Sequence, residues 1–519
     1  MGKIKHNIGY ISVFALFMIL TQIPYLYAAW RSDQTAVFSG FLFNPLDGNT
    51  YLSKMRQGWE GQWLFELTYS PEKSQPAFLF VFYLLLGHLS RVFHLDLVLT
   101  YHLARFVASL ALYAALKSFF EWYLGEKRRV EVALFWALSG AGMGWLVLPL
   151  GYLAPDLWVA EGYGFLAAFA NPHFPLAIAI MVWIMTLSHR ALEHPLNAWI
   201  AFLAGLTLAN LSPFAWMISS AGLGIYLGLS LRNTERNMRN LLLFRLVGFG
   251  LGGAPFLLYQ FYIVRQDAVL AEWNRQNITP SPSFWLLLLG YLPLLLWAFL
   301  GGIQIYRQKD ARALLPIIWI AVSLGLVYFP STLQRRFMIG LYIPMVALAM
   351  YAFQDLSVMK RNAIGVLLNV SLALSMVTNL ILLFTVFQAV QQHEKTIFLD
   401  REEVEAFDWL REHLPKDAVV LASPESGSFL PAWTGLRVVY GHPFESIHAD
   451  QRKQAVEQFY QGKLSLLEQS KFLAANSVTA ILWGMRERAI AKLELQNTLE
   501  QIYPIDYQSE QITIYRAVP

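Results

Sequence analysis

The sequence predicts an all-α polytopic membrane bundle over residues 1–388, followed by an α/β domain over 389–519 that lies outside the membrane. Three observations carry this. The 519 residues are 56% hydrophobic and only 14% charged, against about 25% charged in a soluble domain. Aromatics reach 15%, with 17 Trp, 24 Tyr and 36 Phe, side chains that collect at membrane–water boundaries. Charge also divides along the chain. Residues 1–388 carry 26 Lys and Arg against 17 Asp and Glu, whereas 389–519 carry 13 against 18. A basic apolar part and an acidic, more polar tail read as a bundle plus one further domain. These proportions exclude a soluble enzyme. The positive excess of the bundle suits loops facing anionic headgroups, so membrane lipids are expected partners and nucleic acid is not. The chain has no cysteine, which excludes disulfides, thiolate metal sites and cysteine nucleophiles.

The first element is the apolar run from Ile8 to Trp30, preceded by Lys3 and Lys5. No small-residue cleavage site follows it, which predicts an uncleaved first span. Further stretches of spanning or near-spanning length lie at about 77–93, 98–123, 132–153, 174–190, 196–212, 213–231, 241–263, 284–306, 313–329, 338–354 and 363–388. No internal repeat of the kind a duplicated transporter carries is visible among them. Basic clusters belong on the cytoplasmic face. They are Lys3/Lys5, Lys127-Arg128-Arg129, Arg232/Arg236/Arg239, Arg307/Lys309/Arg312 and Lys360/Arg361. Three candidate stretches separate Lys5 from Lys127, and an odd number of crossings cannot return the chain to one side. The short stretch 77–93, after the Pro-bounded segment 70–76, is therefore read as a helix lying in the outer interface. About eleven spans result, in a plasma (inner) membrane, with a cytoplasmic N-terminus and an extracytoplasmic tail. The external loops then fall at 31–97, 154–173, 264–283 and 330–337.

The first external loop reads Asn44-Pro45-Leu46-Asp47-Gly48-Asn49-Thr50-Tyr51 and continues to Gly61-Gln62-Trp63. Asp47 opens a short helical stretch after a Pro-containing turn, where a carboxylate can serve as no more than an N-cap. The alternative is a functional carboxylate, favoured by the length of this loop, its aromatic content and its place just beyond the first span.

Asp47, Tyr51 and the Gly61-Gln62-Trp63 triplet together resemble the signature loop of GT-C glycosyltransferases, polytopic enzymes that use polyprenyl-phosphate-linked sugars. The likeness extends coarsely over 1–388, closest to the bacterial mannosyltransferase-like and lipopolysaccharide-core-transferase branch. It implies a GT-C-like bundle with an interfacial helix before the second span, and an inverting transferase. Asp47 would be the general base toward an acceptor hydroxyl or amine on a lipid, glycan or protein, with Tyr51 beside the substrate. A single displacement needs such a carboxylate within hydrogen-bond reach of the attacking group, and the departing lipid phosphate needs cationic or N–H partners. Where the family often shows a second acidic residue directly after the first, Gly48 follows Asp47, which weakens the case for adjacent carboxylates at a metal.

The second external loop holds Asp156, Glu161 and His173. The resemblance implies that Asp156 or Glu161 partners Asp47, either to hold a divalent metal (Mg or Mn, on Asp47 and Asp156) or to orient the acceptor. Each also reads as a solvated loop charge, and His173 as a substrate-binding candidate or as an interfacial histidine bonded to a backbone carbonyl. Arg335 and Arg336 open a late span on the outer side, against the inside-positive bias. Paired guanidiniums grip phosphate oxygens well, so both are candidates for the lipid phosphate, with headgroup anchoring or pairing with the acidic tail as the bland alternative. His102 and Arg105, inside a span and therefore functional suspects, are weaker candidates for the same task. Lys117 and Arg245 are expected to snorkel to the inner face.

In the tail, helical and strand patterns alternate. Helices are expected at 402–413, 450–460, 464–475 and 487–496, and strands at 418–422, 437–440, 479–483 and 512–516, with Ser426-Gly427-Ser428 in a loop. No nucleotide-binding glycine pattern is present. Gly441-His442-Pro443 and Arg486-Glu487-Arg488 read as a turn and a solvated helix end, or as parts of a binding face. Two rival functions remain at this level: a lipid-linked oligosaccharide transporter, and a non-catalytic envelope scaffold or sensor with a ligand-binding tail.

Overall fold

The computed structural model describes residues 2–190, 197–230, 236–308, 314–353 and 361–517. Arg232, Lys309, Arg312 and Lys360, used above to orient the spans, lie outside the described residues. The mostly helical chain groups into two compact units. One gathers residues 1–24, 102–259 and 278–387, and the other 25–101, 260–277 and 388–519. The first external loop, assigned above to the bundle, thus shares a unit with the tail.

The long apolar helices belong mainly to the first unit. Ile8–Trp30, Leu97–Leu124, Arg239–Gln266 and Ala363–Gln391 are long and apolar enough to cross a membrane, and Phe284–Tyr291 with Leu294–Arg307 adds a fifth if this pair, bent by 83°, is one span. Phe244, Leu251 and Leu258 recur every seventh residue along Arg239–Gln266 and are 65%, 60% and 69% exposed. Such an apolar stripe suits contact with hydrocarbon.

Against the eleven or so spans expected, four or five segments among the described residues meet the length and composition for crossing. Further apolar helices of 10–17 residues lie at Val81–Phe93, His173–Thr186, Ala198–Leu211, Pro213–Leu229 and Leu314–Val327, and the stretch 132–153 is not one continuous helix. Its helix, Lys127–Ser139, stops at Gly140 and gives way to two short 3-10 turns at Gly144–Leu146 and Leu148–Leu150. Between them the backbone bonds sideways, Ala141 N to Ser375 O at 2.7 Å and Met143 N to Leu289 O at 3.0 Å. A side chain on Gly142 would run into the carbonyl of Gly290. The expected span 284–306 breaks at Leu292-Pro293, where proline can neither donate nor continue the turn. In place of 338–354, the helix runs only over Tyr342–Ala352, buried throughout. Lys117 pairs with Glu121 at 2.7 Å. Arg245 does not snorkel: it is buried, and its guanidinium has no hydrogen-bond partner among the described residues.

In the second unit, helix Pro45–Trp59 packs on helix Val81–Phe93. The latter has 13 residues, about 20 Å of rise against roughly 30 Å of hydrocarbon. It buries Tyr83, Leu84, Leu86, Gly87 and Ser90 and leaves Leu85, Leu89, Val92 and Phe93 exposed. Glycines let the two helices touch: a Cβ on Gly58 would strike the backbone of Leu84, and one on Gly87 the backbone of Met55 and Trp59. Gly87→Ala is expected to cost about 1–3 kcal/mol by forcing backbones apart, which thermal unfolding in detergent reads as a lowered midpoint.

The rest of this unit is an α/β layer structure. Strands β1 (Ala36–Phe38) and β2 (Phe398–Asp400) pair antiparallel. Strands β3 (Val419–Leu421), β4 (Arg437–Val438), β5 (Val478–Trp483), β6 (Ile505–Gln508) and β7 (Thr513–Arg516) form a mixed sheet in the order β4-β3-β5-β7-β6. Alternation along the strands fills two cores. Val420, Leu482 and Ile514 join Phe407, Leu410 and Phe429 on one face. Leu421, Ile481, Trp483 and Tyr515 join Phe459 and Tyr460 on the other.

Most tail elements stand within two residues of expectation, with three corrections. Ser426–Ser428 is not a loop but part of helix Pro424–Thr434, started by Ser423, whose hydroxyl accepts from Ser426 N, and by Pro424 in the first turn. The helix expected at 487–496 is two, Met485–Ile490 and Leu493–Ile502. β6 escapes sequence reading because it is an edge strand with both ends exposed, and so lacks a strong apolar alternation. Arg486 and Glu487 are buried rather than solvated: Arg486 grips Glu403 at 2.7 Å, and Glu487 accepts from Ser423 N at 2.9 Å.

Candidate functional site

Asp47 stands in the first turn of helix Pro45–Trp59. Proline suits the first helical position because its missing N–H would be unpaired there. The N-cap is Asn44, in the left-handed region at φ 46°, so Asp47 is not the cap. Instead, Asn44 Nδ2 donates to Asp47 Oδ2 at 2.6 Å. On the other side, His442 Nε2 lies 3.2 Å from Asp47 Oδ1, with the histidine side chain 3% exposed and the aspartate 39%. The carboxylate is therefore held from two directions yet reachable from solvent.

A buried charge pair lies on the same helix. Lys54 Nζ sits 2.8 Å from Glu445 Oε1, donates to Thr50 Oγ1 at 3.2 Å and lies over the Phe80 ring at 4.2 Å. Thr50 in turn donates to the carbonyl of Asp47. Positions 47, 50 and 54 fall on one helix face, so a single face carries the carboxylate and the anchor for segment 442–446. Tyr51 is engaged in packing, stacked on Tyr83 at 4.6 Å.

The first unit holds the remaining candidates in two groups. In one, Glu161 is buried and its Oε1 lies 3.9 Å from Arg335 Nε and 4.0 Å from Arg336 Nη1. The Arg335 guanidinium sits 4.6 Å over the Trp158 ring, and Glu161 O accepts from Gly340 N at 2.9 Å. Three residues singled out from the sequence for separate reasons thus meet in one cluster, and the arginines pair with this carboxylate.

In the other group, Asp156 is fully buried. Its Oδ2 accepts from Thr378 Oγ1 at 2.7 Å and Gly144 N at 3.1 Å, while Oδ1 has no partner among the described residues. Loss of water pushes its pKa up to about 6, against the opposing pull of the Thr378 and Gly144 bonds. The fold therefore favours the protonated acid. Its contribution is fully present below pH ~4 and is lost as pH rises through 6, a change of about 3 kcal/mol for a shift of about two units. Asp156→Asn should flatten that dependence between pH 4.5 and 7.5, as read from thermal midpoints in detergent.

His102, Arg105 and His173 have structural partners. Arg105 is 1% exposed. It donates to Thr21 O at 2.6 Å, Ala168 O at 3.1 Å, Gln22 Oε1 at 2.9 Å and His102 Nδ1 at 3.3 Å. Sequence reasoning saw an ionisable residue in a span; the structure turns it inward onto the carbonyls of Thr21 and Ala168. His173 begins helix His173–Arg190 with its ring 4.1 Å from that of Phe174. The residue that sequence reasoning undervalued is His442, read as part of a turn. Its only local signal was Gly441-His442-Pro443 itself.

Among the described residues no three His, Asp or Glu side chains come together in a way that could hold a metal ion.

A family model described only as a family of unknown function (DUF6541) matches residues 352–458. No curated protein matches the chain in sequence. Solved structures do match in fold. The oligosaccharyltransferase AglB of Archaeoglobus fulgidus, in complex with an inhibitory peptide and a dolichol-phosphate, superposes with a TM-score of 0.54 at 12% identity, over 99% of this chain and 74% of that one. The arabinofuranosyltransferase AftD from Mycobacteria gives a TM-score of 0.54 at 12% identity, over 97% of this chain and 40% of that one. Together with the Asp47 loop and the helical bundle, these likenesses show that the chain has the GT-C fold.

Proposed function

We propose that the protein is a membrane glycosyltransferase that takes a sugar from a polyprenyl-phosphate donor and passes it, with inversion, to an acceptor at the outer face of a plasma membrane. The observation that carries this reading is the fold shared over nearly the whole chain with a glycosyltransferase whose structure holds a dolichol-phosphate. In this reading the N-terminus is cytoplasmic and the tail extracytoplasmic.

Asp47 acts as general base. Its carboxylate is 39% exposed and acceptor-only when ionised. It takes the proton of the acceptor O–H or N–H as the nucleophile attacks the anomeric carbon. The bond from that carbon to the phosphate oxygen breaks, and its electron pair leaves with the polyprenyl phosphate. Arg335 and Arg336 are the candidates for a lipid phosphate, since paired guanidiniums grip phosphate oxygens well. Glu161 offsets their mutual repulsion and helps hold them in place.

The test is turnover by purified full-length protein in detergent with a panel of undecaprenyl- and decaprenyl-phosphate sugars, together with peptide, glycan and lipid acceptors. Release of polyprenyl phosphate coupled to a glycosylated acceptor supports the reading. Donor that is bound, left intact and moved across proteoliposome membranes would replace it with a transporter.

A further inference from the structure

We propose that His442 is the positioning residue of Asp47, holding it through its Nε2–H, so that the tail supplies an essential part of the base. This rests on the reading of Asp47 as general base.

The tautomer follows from the turn. Pro443 has no N–H, and the next two amides, Phe444 N and Glu445 N, both point at His442 Nδ1, at 3.1 and 3.2 Å. An atom that accepts two N–H donors carries a lone pair and no proton, so the ring proton of the neutral imidazole sits on Nε2. That nitrogen lies 3.2 Å from Asp47 Oδ1. The turn is closed by Ser446, whose Oγ accepts from Gly441 N at 3.1 Å and His442 N at 3.2 Å, and whose N–H returns to His442 O at 3.0 Å.

The ring is also walled in. Tyr69 meets it edge-on at 6.0 Å and ties itself to Ser428 O at 3.0 Å. Gly441 and Gly427 approach closely: a Cβ on Gly441 would strike the carbonyl of Gly427, and one on Gly427 the carbonyl of Tyr440. Glu445, next in the turn, is fastened to Lys54 at 2.8 Å. The histidine thus has one ring atom committed to its own loop and one aimed at Asp47. A structural turn accounts for the first commitment only.

Two substitutions separate these commitments. The amide oxygen of His442→Asn stands near the place of Nδ1 and keeps the turn, but offers no donor at the place of Nε2. His442→Gln puts an amide N–H near the place of Nε2. If His442 positions the base, His442→Asn lowers kcat about 100-fold, the cost of misplacing a catalytic group by about an ångström, with KM for the donor little changed. His442→Gln restores at least a tenth of the kcat. Equal loss from both variants, or no loss from Asn, overturns the proposal while leaving Asp47 as base if Asp47→Asn is inactive. If Asp47→Asn is fully active, it is the base reading that falls.

A measurement independent of turnover uses the full chain labelled with 15N-histidine in lipid bilayers. The His442 signals are those missing from His442→Asn. Protonated Nε2 and bare Nδ1 are expected, with the Nε2 resonance moving in Asp47→Asn; a proton on Nδ1 would overturn the assignment.

Discussion

Asp47→Asn is expected to lower the rate of sugar transfer by about 100- to 10,000-fold, the range a positioned general base contributes. The substitution changes one atom of a side chain that is 39% exposed, so folding should be nearly untouched. Asn cannot take up a proton, and the acceptor must then attack undeprotonated. The loss should appear in kcat, with the KM for the lipid donor close to that of the unaltered protein. Full activity in a normally folded Asp47→Asn protein would remove Asp47 from the chemistry. It would also reopen the scaffold reading, in which changing Asp47 or Arg335 leaves the phenotype intact.

The largest effect on stability is expected at Lys54. Its side chain is 3% exposed, and its ammonium lies 2.8 Å from the carboxylate of Glu445, whose side chain is 11% exposed. Lys54→Met fits the aliphatic stem against Phe80 but strands a carboxylate in a buried site, at a cost of about 3–5 kcal/mol. Lys54→Met combined with Glu445→Gln removes both charges and should recover half or more of that loss, because residues in contact do not add independently. Thermal unfolding in detergent, followed by tryptophan fluorescence, decides between them. A double variant as unstable as the single one would show that the stem or the loop, not the ion pair, carries the stability. The single variant should also lower transfer, since Glu445 belongs to the turn that presents His442 to Asp47.

Much of the architecture was legible before any coordinates. Composition implied a membrane bundle with a more polar tail, and alternating helix and strand patterns implied the tail's α/β class. Runs such as 98–123 and 174–190 located helices to within one or two residues, now Leu97–Leu124 and His173–Arg190. The Asp47 loop could be recognised because its signature residues are close together in sequence. Helix continuity within the apolar runs was harder to read. Hydropathy sums side chains and is blind to the backbone bonds of Ala141 and Met143 that break the stretch 132–153.

Within the sites, the split between legible and hidden follows sequence separation. Glu161, Arg335 and Arg336 could each be suspected from charge and placement, but their meeting around one carboxylate could not be read from spacing. His442 is 395 residues from Asp47, and the glycine and proline around it say only that the chain turns there. Arg105 gave the same signal as a functional arginine, an ionisable group in an apolar helix, and proved to be bonded to carbonyls of Thr21 and Ala168. Periodicity, charge balance and turn chemistry are properties of neighbours along the chain and survive any rearrangement of the fold. Which carboxylate receives a proton donor, and which arginine is buried as a brace, depends on distances of a few ångströms between residues hundreds apart. Only the packed chain sets those distances.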